Sequence, residues 1–443
     1  ADTIVMDPIA DISGDAFFYQ EDYMSETWTY FDEESGIVTH IYDKEAINEE
    51  IRKKLFVGVF KIINTHDFRE CLRTAVQQKN IKMNSFYHAL ELYSQKHPMQ
   101  AVLTNNWFDI GHEDKYYNSK LEVRAREFNH ITIDKNRGIL KKTSDDKDKF
   151  IGEIKWYLKL PADVEYVRPR IFNYSTSYVD PYVSMEYYAY HTVHELFLYG
   201  DLTLQQWIDI FNRIRFVCDD FKRYTVRDAN IRPALEEMYL TKTLQRFEKM
   251  KKDERFVTFF ESPIVVNGER YLPLNEIIIA LEKAIPEMLY DVDSFNIIHG
   301  DLCFANIMVD SNFSFIKVID PRGKFGTYDI YGDFRYELAK LFHSVDGKYD
   351  FIIKDLFDLD YNSETACINY RIQNRKRDFN LYKVFLDTFS AEVGGELKKI
   401  ELIEALLFLS MIPLHGESIR HQMVMLGTGL EILNRVIDIK ETV

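Results

Sequence analysis

The segment IIHGDLCFANIMVD, residues 297–310, sets an aspartate and an asparagine into otherwise apolar sequence, with four residues between them. Ten residues further on, the stretch FSFIKVID ends in a second aspartate. Asp301, Asn306 and Asp320 thus form an ordered set of carboxylate, amide and carboxylate. Phosphoryl transfer from a nucleoside triphosphate needs such a set. One carboxylate orients an acceptor hydroxyl and takes its proton, and oxygen ligands hold Mg²⁺ against the phosphates. Taken singly, Asp301 and Asn306 would serve equally well to satisfy loop backbone groups, and Asp320 to cap a turn before Pro321. It is the three in order that point to chemistry, and a chance match also needs suitable elements upstream.

The elements that must position them can be read around the set. Ile297, Ile298, Ile307, Met308, Val318 and Ile319 read as strands flanking a rigid loop, which pins the polar groups and leaves them at a cleft. Upstream, EFNHITID and ILKKTS alternate as two strands joined by the turn KNRG, which makes a hairpin. DDKDKFIGEIKWYLKLP follows as a helix that Pro161 stops, with Phe150, Ile151, Ile154, Tyr157 and Leu158 at helical spacing. RPRIFNYSTS and PYVSMEYY read as two further strands. Helices dominate beyond His191, from TLQQWIDIFNRIRFVCDDFKRY to the C-terminal EALLFLSMIPLHGESIRHQMVMLGTGLEILNRVIDI. A strand-rich segment at 123–190 followed by a helical one at 191–443 predicts an α+β, bilobal arrangement, with a small β-rich N-lobe and a large helical C-lobe.

Composition bounds the function. The chain has 443 residues, 46% hydrophobic and 28% charged, which is ordinary for a globular protein of two or three domains. Its 55 Lys and Arg against 71 Asp and Glu leave a net charge of −16. That argues against a nucleic-acid partner, which calls for a basic stripe. A nucleotide remains compatible, since a metal ion and a few placed cations can hold a triphosphate. Cys71, Cys218, Cys303 and Cys367 form no CxxC pair, so neither a zinc ribbon nor a disulfide framework is expected. The longest apolar run, 405–414, is too short to span a bilayer and reads as a buried helix. The first residues carry no basic run of the signal-peptide kind. A cytoplasmic setting without membrane contact is the expectation. His191, His194, His415 and His421 show no metal-ligand spacing accompanied by a carboxylate and are expected to be packing or surface residues.

HGDLCFANIMVD, together with VIDPRGKFGTYDIYGDFRYELAKL, resembles the aminoglycoside phosphotransferase/choline kinase-like family, a protein-kinase-like group whose loop reads H-G-D-x4-N and then I-D. The resemblance spans roughly residues 125–443. It implies an ATP- and Mg²⁺-dependent kinase of small-molecule hydroxyls, in which Asp301 is the base, Asn306 and Asp320 bind Mg²⁺, and His299 supports the loop. Asp333 would be a structural brace. Gly300 stands where protein kinases usually have arginine, and their A-P-E segment has no counterpart here.

The fold so implied demands a lysine on the small lobe and a helix carboxylate to orient it. Lys141 and Lys142 lie on the second hairpin strand, where alternation lets only one face the cleft. Lys142, which shares a face with Leu140, is the expected one, and Glu153 is its expected partner. An edge lysine and an exposed helix glutamate are the alternatives. DKNRG contains one glycine and not GxGxxG, so it departs from a phosphate-cradling loop. VSMEYYAY fits a hinge, with backbone from Glu186 to Tyr188 facing adenine, or else a plain strand exit.

Residues 1–122 alternate short strand-like runs with helices, as an α/β unit does. ADTIVMD, YDKE, LFVGVFKI and NNWFDIGHEDKYYNSK resemble the C-terminal half of a sugar nucleotidyltransferase, which implies a metal between Asp2 and Asp109. The Gly-rich nucleotide-binding strand-loop-helix that opens that family has no counterpart in this sequence. The expected activity is phosphorylation of a hydroxyl on a sugar, amino alcohol or aminoglycoside-like metabolite, with a surface-polysaccharide precursor as the natural setting. A fragment of a bifunctional nucleotidyltransferase/kinase and a non-catalytic kinase-like scaffold are the alternatives.

Overall fold

The computed structural model describes residues 3–5, 12–22, 28–45, 52–78, 83–104, 107–109, 129–134 and 136–441. They fall into two compact units, Ala1–Arg126 and Glu127–Val443.

In the first unit, β1 (Thr3–Val5) pairs with β7 (Trp107–Asp109). Five strands close into a barrel in the order β2-β5-β3-β4-β6: β2 (Ala16–Asp22), β3 (Thr29–Glu34), β4 (Ile37–Asp43), β5 (Lys53–Lys61) and β6 (Gln100–Leu103). Strand alternation sends neighbours to opposite sides. Phe17 packs with Phe31 and Phe56 against helices α1 (Thr65–Gln77) and α2 (Ser85–Ser94), while Ala16 and Phe18 join Val57 in a second cluster. Asn64 and Asn84 start the two helices by accepting the Asp67 and Phe86 N–H groups. The barrel is antiparallel except for β2 with β6. Asp2 and the side chain of Asp109, the expected metal pair, lie outside the described residues.

In the second unit, the hairpin β8 (Asn129–Asp134) and β9 (Ile139–Ser144) forms as its sequence predicts. With β10 (Ile171–Ser175) and β11 (Tyr182–Glu186) it makes a sheet of order β10-β11-β9-β8. Helix α3 (Lys147–Lys159) starts at Asp146, whose carboxylate accepts the Lys149 N–H. Its buried face is Phe150, Glu153, Ile154, Trp156 and Tyr157, whereas Leu158, expected inside, is exposed. The reason is Trp156, whose indole Nε1–H donates to the Ile298 carbonyl at 2.7 Å and turns the helix inward on that side.

Short antiparallel pairs build the next layer. β12 (His191–Thr192), β17 (Ile307–Val309) and β18 (Ile316–Val318) form one sheet in that order. β13 (Thr225–Val226), β16 (Phe295–Ile297) and β19 (Tyr331–Gly332) form another, and β14 (Ile264–Val266) pairs with β15 (Glu269–Tyr271) in a separate sheet. Around them lie the capped helices α4 (Val193–Tyr199) and α5 (Leu204–Lys222), and then α6 (Leu274–Leu289), α7 (Phe334–Val345), α8 (Leu397–Met411) and α9 (Ile419–Val436). One continuous apolar cluster runs from Phe150 to Ile439, so the expected strand-rich and helical parts share a core. Helix α8 holds the longest apolar run and is buried from Ile400 to Leu409. Among the described residues, no helix is long and apolar enough to cross a membrane.

Candidate active site

Lys142 points inward from β9 and is 4% exposed, while Lys141 points outward and lies over the Tyr182 ring. The Lys142 Nζ donates to both Glu153 oxygens, at 2.8 and 2.9 Å, and to Asp320 Oδ1 at 2.8 Å. Burial alone would depress the ammonium pKa, but the carboxylates of Asp320 and Glu153 hold it above the usual lysine value. A buried cation between two carboxylates stays charged, and for Glu153 the Lys142 ammonium offsets part of the cost of its own burial, which still raises its carboxyl pKa to about 7.

The segment after Asp320 is held against α3 by glycine. A Cβ on Gly323, whose φ is +65°, would lie 2.2 Å from the Gly152 carbonyl. That contact fixes the distance between the Glu153 turn of the helix and the Asp320 loop. Asp320 itself sits at φ +56°, a left-handed conformation that aspartate tolerates better than most residues. Its N–H donates to the Tyr157 hydroxyl at 3.1 Å.

The loop 298–306 is over-determined. His299 is fully buried; its Nε2–H faces the Ile319 carbonyl at 3.0 Å, and Nδ1 accepts the Asp301 N–H at 3.3 Å. The N–H groups of His299 and Gly300 donate to the two oxygens of buried Glu337, at 3.0 and 2.6 Å. Gly300 has φ +76°, and a Cβ there would meet the Arg322 side chain at 2.9 Å, so an arginine in its place would not fit. Asn306 spends both amide protons on Asp301, on the carbonyl at 2.8 Å and on Oδ2 at 3.0 Å, which sets its own carbonyl oxygen as an acceptor. The Ile319 N–H donates to the Asn306 carbonyl, placing Asn306 and Asp320 at matching ends of β17 and β18.

Burial drives the His299 imidazole pKa from 6.5 down to about 4, so it stays neutral. The unfolded chain binds a proton near pH 6.5 and the folded chain does not. The stability tied to His299 is therefore complete above pH 6.5 and is lost as pH falls to about 4, by about 3 kcal/mol in all. Replacing His299 with Gln should flatten that acid limb, measured as denaturant midpoints between pH 7 and 4. An unchanged limb would show that His299 titrates normally.

The hinge expectation needs correction. The Glu186 N–H donates to the Arg170 carbonyl and the Tyr187 N–H to that of Gly138, because the strand pairing continues through both. The Glu186 side chain accepts from the Tyr188 hydroxyl at 2.6 Å. A base would find backbone donors no earlier than Tyr188. Asp333 matches its expected bracing position: it starts α7, accepts the Tyr239 hydroxyl at 2.9 Å, and pairs with Arg335 at 2.7 Å.

Sequence reasoning missed Lys340, Glu337 and Tyr157. Lys340 Nζ lies 2.9 Å from Asp301 Oδ1, and both Lys340 and Glu337 are buried on α7. The available signal was charge inside an otherwise apolar helix. His194 is a buried packing residue as expected, but the carboxylates that reach the histidines come from distant segments: Asp350 lies 2.5 Å from His194, and Asp355 lies 3.0 Å from His421. Glu417 lies 3.0 Å from His415.

Neither a protein-family model nor a curated protein sequence matches this chain. Solved structures similar to it include a thermostable mutant of aminoglycoside phosphotransferase APH(4)-Ia in ternary complex with ADP and hygromycin B. That match has 12% identity and a TM-score of 0.42, over 69% of this chain and 89% of the other. The streptomycin-ATP complex of APH(2")-IIa matches at 13% identity and a TM-score of 0.39, over 73% and 98%. The aminoglycoside-3'-phosphotransferase of type VIII matches at 12% and 0.36, over 68% and 100%.

Proposed function

We propose that the second unit is an ATP- and Mg²⁺-dependent kinase that phosphorylates a hydroxyl of a sugar, amino alcohol or aminoglycoside-like metabolite. The observation that carries this reading is the Lys142 ammonium bridging Glu153, 11 residues on, and Asp320, 178 residues on. A cation so held is placed to meet triphosphate oxygens, and Glu153 keeps it extended toward them.

In this reading Asp301 accepts the proton of the acceptor hydroxyl as its oxygen bonds to the γ-phosphorus and the bond to the bridging β–γ oxygen breaks. Lys340, at 2.9 Å from Oδ1, pairs with the Asp301 carboxylate and orients it. Asp320 and Asn306 offer hard oxygen donors of the kind Mg²⁺ takes, and the Asn306 amide is already oriented for it. When bound, the ion neutralises charge on the phosphates. The base is received at the end of β11, with the Tyr188 N–H as its first backbone donor. In this reading the reaction serves surface-polysaccharide precursor synthesis in the cytoplasm, a setting supported only by the resemblance of residues 1–122 to a nucleotidyltransferase half.

A screen of sugars, amino alcohols and aminoglycosides, read by ADP release with Mg²⁺ and ATP, tests this. Acceptor-dependent release that disappears with chelator is expected. No release above the acceptor-free rate across all three classes would count against the reading.

A further inference from the structure

The loop preceding α9 and the first turn of that helix bring together His415, Glu417 and His421, whose donor atoms all lie within 4.8 Å of one another. His415 Nδ1 is 3.0 Å from Glu417 Oε1. Two donors on a tetrahedral ion, each about 2.0–2.1 Å from it, are separated by roughly 3.3 Å. The His415–Glu417 pair is therefore close to one edge of such a tetrahedron.

His421 supplies an independent observation. Its Nε2 lies 3.0 Å from Asp355 Oδ1, while its Nδ1 is buried with no hydrogen-bond partner. A carboxylate on Nε2–H fixes the tautomer and leaves the Nδ1 lone pair unused. That is the arrangement by which an outer carboxylate orients a metal-binding histidine. A buried lone pair without a donor calls for an electrophile, and an ion between the three residues would provide it.

We propose that His415, Glu417 and His421 bind one divalent transition-metal ion of the zinc class, with Asp355 orienting His421. Two imidazoles and one carboxylate form a borderline donor set that selects Zn²⁺ over Mg²⁺, with water completing the shell. The ion would tie the start of α9 to the turn carrying Asp355. The His415 ring lies 6.1 Å from that of Tyr349, which stacks at 4.3 Å on His343, one turn beyond Lys340 on α7. None of the proposed ligands belongs to the phosphoryl-transfer machinery, so the site stands whether or not that reading holds.

Untagged chain stripped with chelator and titrated with ZnCl₂ by calorimetry tests the proposal, with thermal unfolding alongside. One Zn²⁺ per chain should bind and raise the Tm, and millimolar Mg²⁺ should not displace it. Glu417→Gln and His415→Ala should each weaken binding at least about tenfold and remove the Tm rise. The Glu417 side chain is 66% exposed, so its replacement leaves the fold intact and the comparison interpretable. Absence of zinc binding, or the same affinity and stoichiometry in both variants, would overturn the site.

Discussion

Asp301→Asn is expected to lower kcat for ATP-dependent phosphorylation by about 10²–10⁴-fold while nucleotide affinity stays within a few-fold. The substitution removes proton acceptance and the hydrogen bond that Oδ2 accepts from the Asn306 amide at 3.0 Å. An asparagine retains an oxygen for Lys340 Nζ, 2.9 Å away in the native chain, and its backbone carbonyl still accepts from Asn306. Alanine would be the poorer probe, because it also removes the oxygen that the buried Lys340 ammonium meets at 2.9 Å, and breaking a buried pair outright costs about 3–5 kcal/mol. The measurement is acceptor-dependent ADP release beside a calorimetric ADP titration and a Tm. Turnover within tenfold of wild type, in a variant that folds, would remove Asp301 from the role of base.

The second large effect belongs to Asp320. Asp320→Asn should abolish the Mg²⁺ dependence of ATP affinity, a loss of about 100-fold or more at saturating Mg²⁺, because a carboxylate ligand to a hard cation becomes a neutral amide. Asparagine is chosen for the backbone: at φ +56° alanine would add strain of about 1 kcal/mol, and asparagine tolerates the conformation. The variant also takes one carboxylate from Lys142, which keeps Glu153 at 2.8 and 2.9 Å, so the ammonium remains paired. Titrating ATP with and without Mg²⁺ separates the two roles. A Mg²⁺-dependent gain equal to that of the native chain would rule out Asp320 as a metal ligand.

Much of the site was legible because its logic is local. The hairpin, the Pro161 stop and the Lys142 face all follow from strand alternation and turn chemistry within a few residues. The helix carrying Glu153 was legible too, but its inward face was not fully so. Periodicity placed Leu158 inside, and the Trp156 hydrogen bond to Ile298, in a segment far along the chain, decided otherwise. The hinge was narrowed for a related reason. Whether the Glu186 and Tyr187 N–H groups are spent depends on which strands flank β11, and Arg170 and Gly138 supply those carbonyls.

The order and spacing of His299, Gly300, Asp301, Asn306 and Asp320 were determined by the sequence alone, since a tight loop between two strands constrains residue types over a short span. The tertiary structure decided what those residues touch. It pairs Asp301 with Lys340, hangs two loop N–H groups on Glu337, and gives Asp320 to Lys142. It also brings Asp355 to His421. Each is a charge or proton match between segments distant in sequence. Such matches depend on which helix faces pack against the loop, and a helical period shows that a face is buried without showing what it is buried against.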